Sequence, residues 1–186
     1  MTTTEQQDLI EAIIDDHREV ESVFAELEVR GDQRSRRELV EHVIAELVRH
    51  SVAEEQFLYP TTRKALPDGD EIADHELEEH AVAEELMKAL DGTDVSDPRF
   101  DELLGKLMAD VRHHLTEEEA DLLPRLRSAC DPEELRELGK KFQQSKKIAP
   151  TRPHPSAPDR PPANKILGPG VGLIDRMRDA LSDRNT

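Results

Sequence analysis

The chain has 186 residues, of which 36% are charged, 35% hydrophobic and only 3% aromatic, and its formal net charge is −17. Such an apolar content is thin for a β-sandwich or barrel but sufficient for helices that each bury one stripe, so an all-α fold is predicted. Acidity on this scale argues against a nucleic-acid backbone as the main partner.

The first helix is predicted to start near Thr4, where Thr4-x-x-Gln7 reads as a capping box. Its apolar stripe is Ile10, Ile13, Ile14, Val20, Phe24 and Leu27, with His17 inside it. A second helix is expected from about Asp32 to Pro60, with Val40, Val43, Ile44, Leu47, Phe57 and Leu58 on the side that also carries His50 and Glu54. Asp68-Gly69-Asp70 marks a turn. The third helix, roughly Glu71 to Leu90, places Leu77, His80, Ala83, Met87 and Leu90 in register. Asp97-Pro98 opens a fourth helix, with the stripe Leu103, Leu107, Val111, His114, Glu118 and Leu122. Asp131-Pro132 opens a shorter fifth helix in the same way. Six prolines between Pro150 and Pro162 then favour an extended linker, followed by a short amphipathic segment from Leu173 to Leu181. The expected division is 1–130 for the bundle, 131–148 for the additional helix, and 149–186 for a proline-rich linker and a short C-terminal helix.

The sequence repeats itself. His50-Ser-Val-Ala-Glu54-Glu55-Gln-Phe-Leu58-Tyr-Pro60 matches His114-Leu-Thr-Glu-Glu118-Glu119-Ala-Asp-Leu122-Leu-Pro124 in its His, Glu, Glu, Leu and Pro offsets. Asp16-His17 and Glu79-His80 are each followed by leucine ten residues on, at Leu27 and Leu90. The chain thus reads as two helical hairpins, each with one histidine and then His-x-x-x-Glu. Residues four apart share a helix face, so His50 points with Glu54 and His114 with Glu118. Both pairs lie in apolar stripes and face inward. Unpaired carboxylates in a core are costly, and metal coordination compensates that cost. Four imidazoles and two carboxylates make a di-metal set, each carboxylate able to give one oxygen to each ion. A site rich in imidazole and bridged by carboxylates, with a vacant position, suits iron and oxygen-related chemistry better than closed zinc.

The order His17, His50-x-x-x-Glu54, His80, His114-x-x-x-Glu118 resembles the HHE cation-binding domain of the hemerythrin family over about residues 5–126. The resemblance implies an up-down four-helix bundle and a non-haem di-iron centre, oxo- or hydroxo-bridged, with those six residues as ligands. Family members bind oxygen, respond to nitric oxide, supply iron for cluster repair, sense iron or decompose peroxide. The oxygen carriers of the family have two histidines one turn apart on the third helix. Here Glu76 stands one turn before His80, and His75 lies about 140° from His80 around an ideal helix. His42, His113 and His154 read as ordinary residues, Tyr59 as packing near the site, and Glu55, Glu117 and Glu119 as solvated or outer carboxylates.

Two function classes follow. One is di-iron chemistry on oxygen, nitric oxide or hydrogen peroxide in oxidative or nitrosative stress, including a catalase-like activity. The other is a regulatory module whose iron occupancy controls a protein partner through the tail, without turnover. The single cysteine, Cys130, the lack of a secretory start and the lack of a long apolar run lead to the expectation of a cytoplasmic protein without membrane contact. From Lys140 onward, 10 basic and 4 acidic residues give a mildly basic tail beside an acidic bundle.

Overall fold

The computed structural model describes residues 7–29 and 31–153. These form α1 (Leu9–Glu28), α2 (Gln33–Ala65), α3 (Gly69–Asp91), α4 (Pro98–Glu117), a π-helical turn (Glu118–Leu122), α5 (Leu123–Ala129) and α6 (Pro132–Ile148). No strand occurs among the described residues, as the composition predicts. None of the described helices is long and apolar enough to cross a membrane.

Helix starts follow local capping chemistry. Asp8 caps α1 by accepting from the Glu11 amide at 3.0 Å, and the Glu11 carboxylate accepts from the Asp8 amide at 3.0 Å. The start is therefore Asp8, not the neighbourhood of Thr4, which lies outside the described residues. Asp97 and Asp131 cap α4 and α6, each with proline at the next position. The second helix does not stop at Pro60; it runs on to Ala65. The hydroxyls of Thr61 and Thr62 donate to the carbonyls of Phe57 and Leu58 at 2.7 and 3.0 Å, adding bonds in the turn that the proline disturbs.

The corresponding stretch of the second hairpin behaves differently. There the helix widens into the π turn, the Leu123 amide bonding back to the Glu118 carbonyl, and Pro124 falls just after it. Such single wide turns admit one extra residue and are found at functional sites. The repeat in sequence is thus not a repeat in backbone.

α1 and α3 both pack on α2, α4 packs on α3, and α6 lies across α1 and α2. Gly139 is where α6 crosses the start of α1: a Cβ there would stand 2.5 Å from the Gln7 carbonyl oxygen. Two apolar clusters result. One gathers Phe24, Val40, Ile44, Leu90, Phe100 and Leu107. The other gathers Leu9, Ile13, Leu58, Tyr59, Leu122 and Phe142. Each such side chain contributes roughly 1.5–3 kcal/mol by burial. Along α1, α2 and α3 one histidine (His17, His50, His80) falls between the two clusters, and His114 stands near the end of α4, beside Leu115 of the first cluster and before Leu122 of the second, so the polar groups form one layer with apolar packing on both sides.

The proline-rich segment begins packed. Ala149 and Thr151 are buried, and Arg152 stands 3.5 Å from Asp91. The remainder of the expected linker, His154 and the Leu173–Leu181 segment lie outside the described residues.

Candidate metal centre

The layer between the clusters holds all six predicted residues. His17, His50, His80 and His114 come from α1 to α4 in order, and all are buried. Glu54 and Glu118 are 0% exposed. Glu54 spans the two hairpins: its Oε1 is 3.0 Å from His50 Nε2 and its Oε2 3.4 Å from His80 Nε2. Glu118 spans them the other way, with Oε2 3.5 Å from His17 Nε2 and Oε1 3.9 Å from His114 Nε2.

All four imidazoles present Nε2 inward and Nδ1 outward to a carboxylate. His17 Nδ1 meets Glu119 at 2.9 Å and His50 Nδ1 meets Asp16 at 3.1 Å. His80 Nδ1 meets Glu55 at 3.3 Å, and His114 Nδ1 meets Glu79 at 2.9 Å. The repeat explains this arrangement. The acid preceding the first histidine of each hairpin, Asp16 or Glu79, holds the second histidine of its own hairpin. The acid following each inner glutamate, Glu55 or Glu119, holds the first histidine of the other hairpin. A carboxylate on the outer nitrogen fixes the tautomer and leaves Nε2 free as a ligand.

Several inward atoms have no hydrogen-bond partner among the described residues: His17 Nε2, His50 Nε2, both Glu54 oxygens and Glu118 Oε2. In the absence of metal the charge of these carboxylates is offset by the imidazoles beside them, without which their burial would cost several kcal/mol. Ligand atoms of His17, His50, Glu54 and Glu118 lie within 4.8 Å of one another, as do those of Glu54, His80 and His114. This donor set, nitrogen-rich with shared carboxylates, fits metal ions.

Comparison with known proteins identifies the family. The hemerythrin HHE cation-binding domain model matches residues 8–126. The chain belongs to the hemerythrin HHE family. An uncharacterized hemerythrin-like protein of Schizosaccharomyces pombe is 31% identical over 172 residues, 92% of this chain and 85% of that protein. A protein of Nostoc named DNA nickase is 26% identical over 131 residues, covering 70% of this chain but 37% of its own length. No solved structure matches.

Beside the HHE residues stand two groups whose part sequence reasoning missed. Glu76, 4% exposed, brings Oε2 to 2.9 Å from His114 Nδ1, and one of its oxygens lies within 4.8 Å of a ligand atom of Glu118. Its position one turn before His80 was the available signal. The Tyr59 hydroxyl donates to Glu118 Oε1 at 3.2 Å and lies 2.9 Å from His80 Nε2. His75 does not reach the layer; its side chain is 58% exposed. His42 belongs to none of the metal-capable groups among the described residues.

Electrostatics bind the layer together without metal. Burial alone would lower the His50 pKa, but Glu54 and Asp16 push it up to about 10. Burial likewise opposes ionisation of Glu54, yet His50 and His80 hold its pKa well below the usual carboxylate value. His80 and His114 are raised against burial by Glu54, Glu55, Glu76, Glu79 and Glu118. Burial, reinforced by the charge of Glu118, raises Glu76. A metal entering this HHE layer must therefore displace protons.

Asp16 offers a direct test of the outer carboxylates. Asp16→Ala should weaken metal binding by about 10–100-fold, measured by competition with a chelator, because His50 loses the group that orients it. An unchanged affinity would show that the Asp16 contact does not tune the ligand.

Proposed function

We propose that the chain is a di-iron protein of hemerythrin type that reacts with oxygen, nitric oxide or hydrogen peroxide. In this reading α1 to α4 form an up-down four-helix bundle within residues 1–130, residues 131–148 cover it, and residues 149–186 are an appendage. His17 and His50 would hold one ion and His80 and His114 the other, with Glu54 and Glu118 as the carboxylates that both would share. The carrying observation is the convergence of four inward Nε2 atoms with carboxylate oxygens that have no hydrogen-bond partner. A bound iron pair supplies redox electrons and Lewis acidity.

The protein's own residues differentiate the two sides. A cleft of about 280 Å³ has His80 and His114 in its wall, with Val82, Ala83, Met87 and Val111 around them. The wall is mixed: these apolar side chains admit small neutral molecules, and Glu78, Glu79 and Asp110 on the same wall draw cations. On the other side α6 closes the layer: the Phe142 ring packs edge-on to His50 at 6.1 Å, and Lys146 holds Asp16 at 2.7 Å. Tyr59 keeps its proton, since burial and the surrounding carboxylates raise its pKa well above 10. It is a fixed hydrogen-bond donor beside His80 and Glu118. The nicking named for the Nostoc relative does not carry over well: the shared stretch is 37% of that protein, and a net charge of −17 opposes phosphate binding.

Protein from iron-replete cells should contain close to two irons per chain, absorb in the near ultraviolet, and release oxygen from added peroxide. One zinc and no iron would sink the metal assignment. Iron-loaded protein that is inert to peroxide and nitric oxide and does not bind oxygen would favour the regulatory module. Removal of residues 150–186 should then abolish a partner interaction.

A further inference from the structure

The outer surface of α3 and α4 carries the His-x-x-x-Glu step twice more. His75 and Glu79 lie four apart on α3; His113 and Glu117 lie four apart on α4, one residue before the inner pair. The two helices pack side by side and bring these pairs together. His75 Nε2 is 3.7 Å from Glu79 Oε1 and 3.5 Å from Glu117 Oε2, and His113 Nε2 is 3.6 Å from the same Glu117 oxygen. Ligand atoms of His75, Glu79 and Glu117 lie within 4.8 Å of one another.

These separations are too long for good hydrogen bonds. They suit a shared cation: two donors each about 2.1 Å from a tetrahedral ion stand roughly 3.4 Å apart. His75 with Glu79 and Glu117 forms the converged trio, and His113, 3.6 Å from Glu117 but outside that trio, is the imidazole that a side-chain rotation would add; imidazole with carboxylates selects first-row transition ions over calcium or magnesium. The cluster also has a position. His75, Glu79 and His113 line the same cleft as His80 and His114. Glu79 touches both centres, turning Oε1 toward His75 and Oε2 to His114 Nδ1 at 2.9 Å.

We propose that His75, Glu79, His113 and Glu117 form a second, surface site for a divalent first-row metal ion, which captures ferrous iron at the mouth of the cleft on its way to the buried layer. The capture role rests on the di-iron reading; the existence of the surface site does not.

The first test titrates zinc into full-length, iron-loaded protein by calorimetry. Wild type should bind one further zinc per chain. His75→Ala/His113→Ala should bind it at least ten-fold more weakly. Both side chains are more than half exposed, at 58% and 64%, so folding is not at stake. Glu117→Gln, a change of charge with little change of shape, should give the same loss. Equal zinc binding in wild type and both variants, or none in wild type, overturns the site. The second test follows ferrous uptake by metal-free protein in stopped flow. The double variant should reach the same iron content several-fold more slowly, and equal rates overturn the capture role. Failure of the di-iron reading would appear separately, as protein that takes up no iron in the layer yet still binds the surface zinc.

Discussion

Glu54→Ala should leave the purified protein with no bound metal rather than with half its complement. The two Glu54 oxygens serve different hairpins, Oε1 beside His50 and Oε2 beside His80. In the proposed centre its removal would take one carboxylate oxygen from each ion, and it takes from His50 and His80 a negative charge that raises both. Glu118 cannot compensate, because its oxygens already face His17 and His114. Elemental analysis should find iron falling from about two per chain to near zero, with the near-ultraviolet absorption lost. His42→Ala, outside the layer, should keep full content. Retention of one ion at unchanged affinity in Glu54→Ala would show that Glu54 does not bridge.

The inner residues were legible because two independent periodicities coincide on them. Helical register put His17, His50, His80 and His114 in apolar stripes, and the internal repeat set them apart from ordinary buried histidines. The outer carboxylates were less legible. Asp16, Glu55, Glu79 and Glu119 sit next to ligand positions in sequence, and adjacency on a helix means pointing elsewhere. Their partners lie on other helices, so only the packing pairs Asp16 with His50 and Glu119 with His17. The π turn at Glu118–Leu122 was invisible for a different reason: its sequence repeats that of α2, which stays α-helical through Pro60. His113 carried no signal alone and gains meaning only opposite His75.

The metal-free and metal-loaded proteins should diverge in stability as pH rises from about 6.5 to about 10. Without metal, His50 is held near 10 by Glu54 and Asp16, against 6.5 when unpaired. A folded pKa above the unfolded one means that the folded state binds the extra proton. The stabilisation is then complete below about 6.5 and disappears as pH climbs through about 10. Glu54, held well below its usual 4.5, works in the opposite sense: its contribution is present above 4.5 and is lost on acidification. Metal-free protein should therefore be most stable between these limits and should melt at progressively lower temperature toward pH 10. Metal reverses the alkaline limb. Imidazole nitrogens ligate only when neutral, so raising the pH removes the competing protons and tightens binding. Loaded protein should hold or gain melting temperature over the same interval, and it should lose iron in acid. Loading near pH 7 in weak buffer should also release protons, visible with an indicator dye. Parallel melting curves for the two forms between pH 6.5 and 10, with no proton release on loading, would mean that His50 is neutral in the metal-free protein and that the layer is not held by charge.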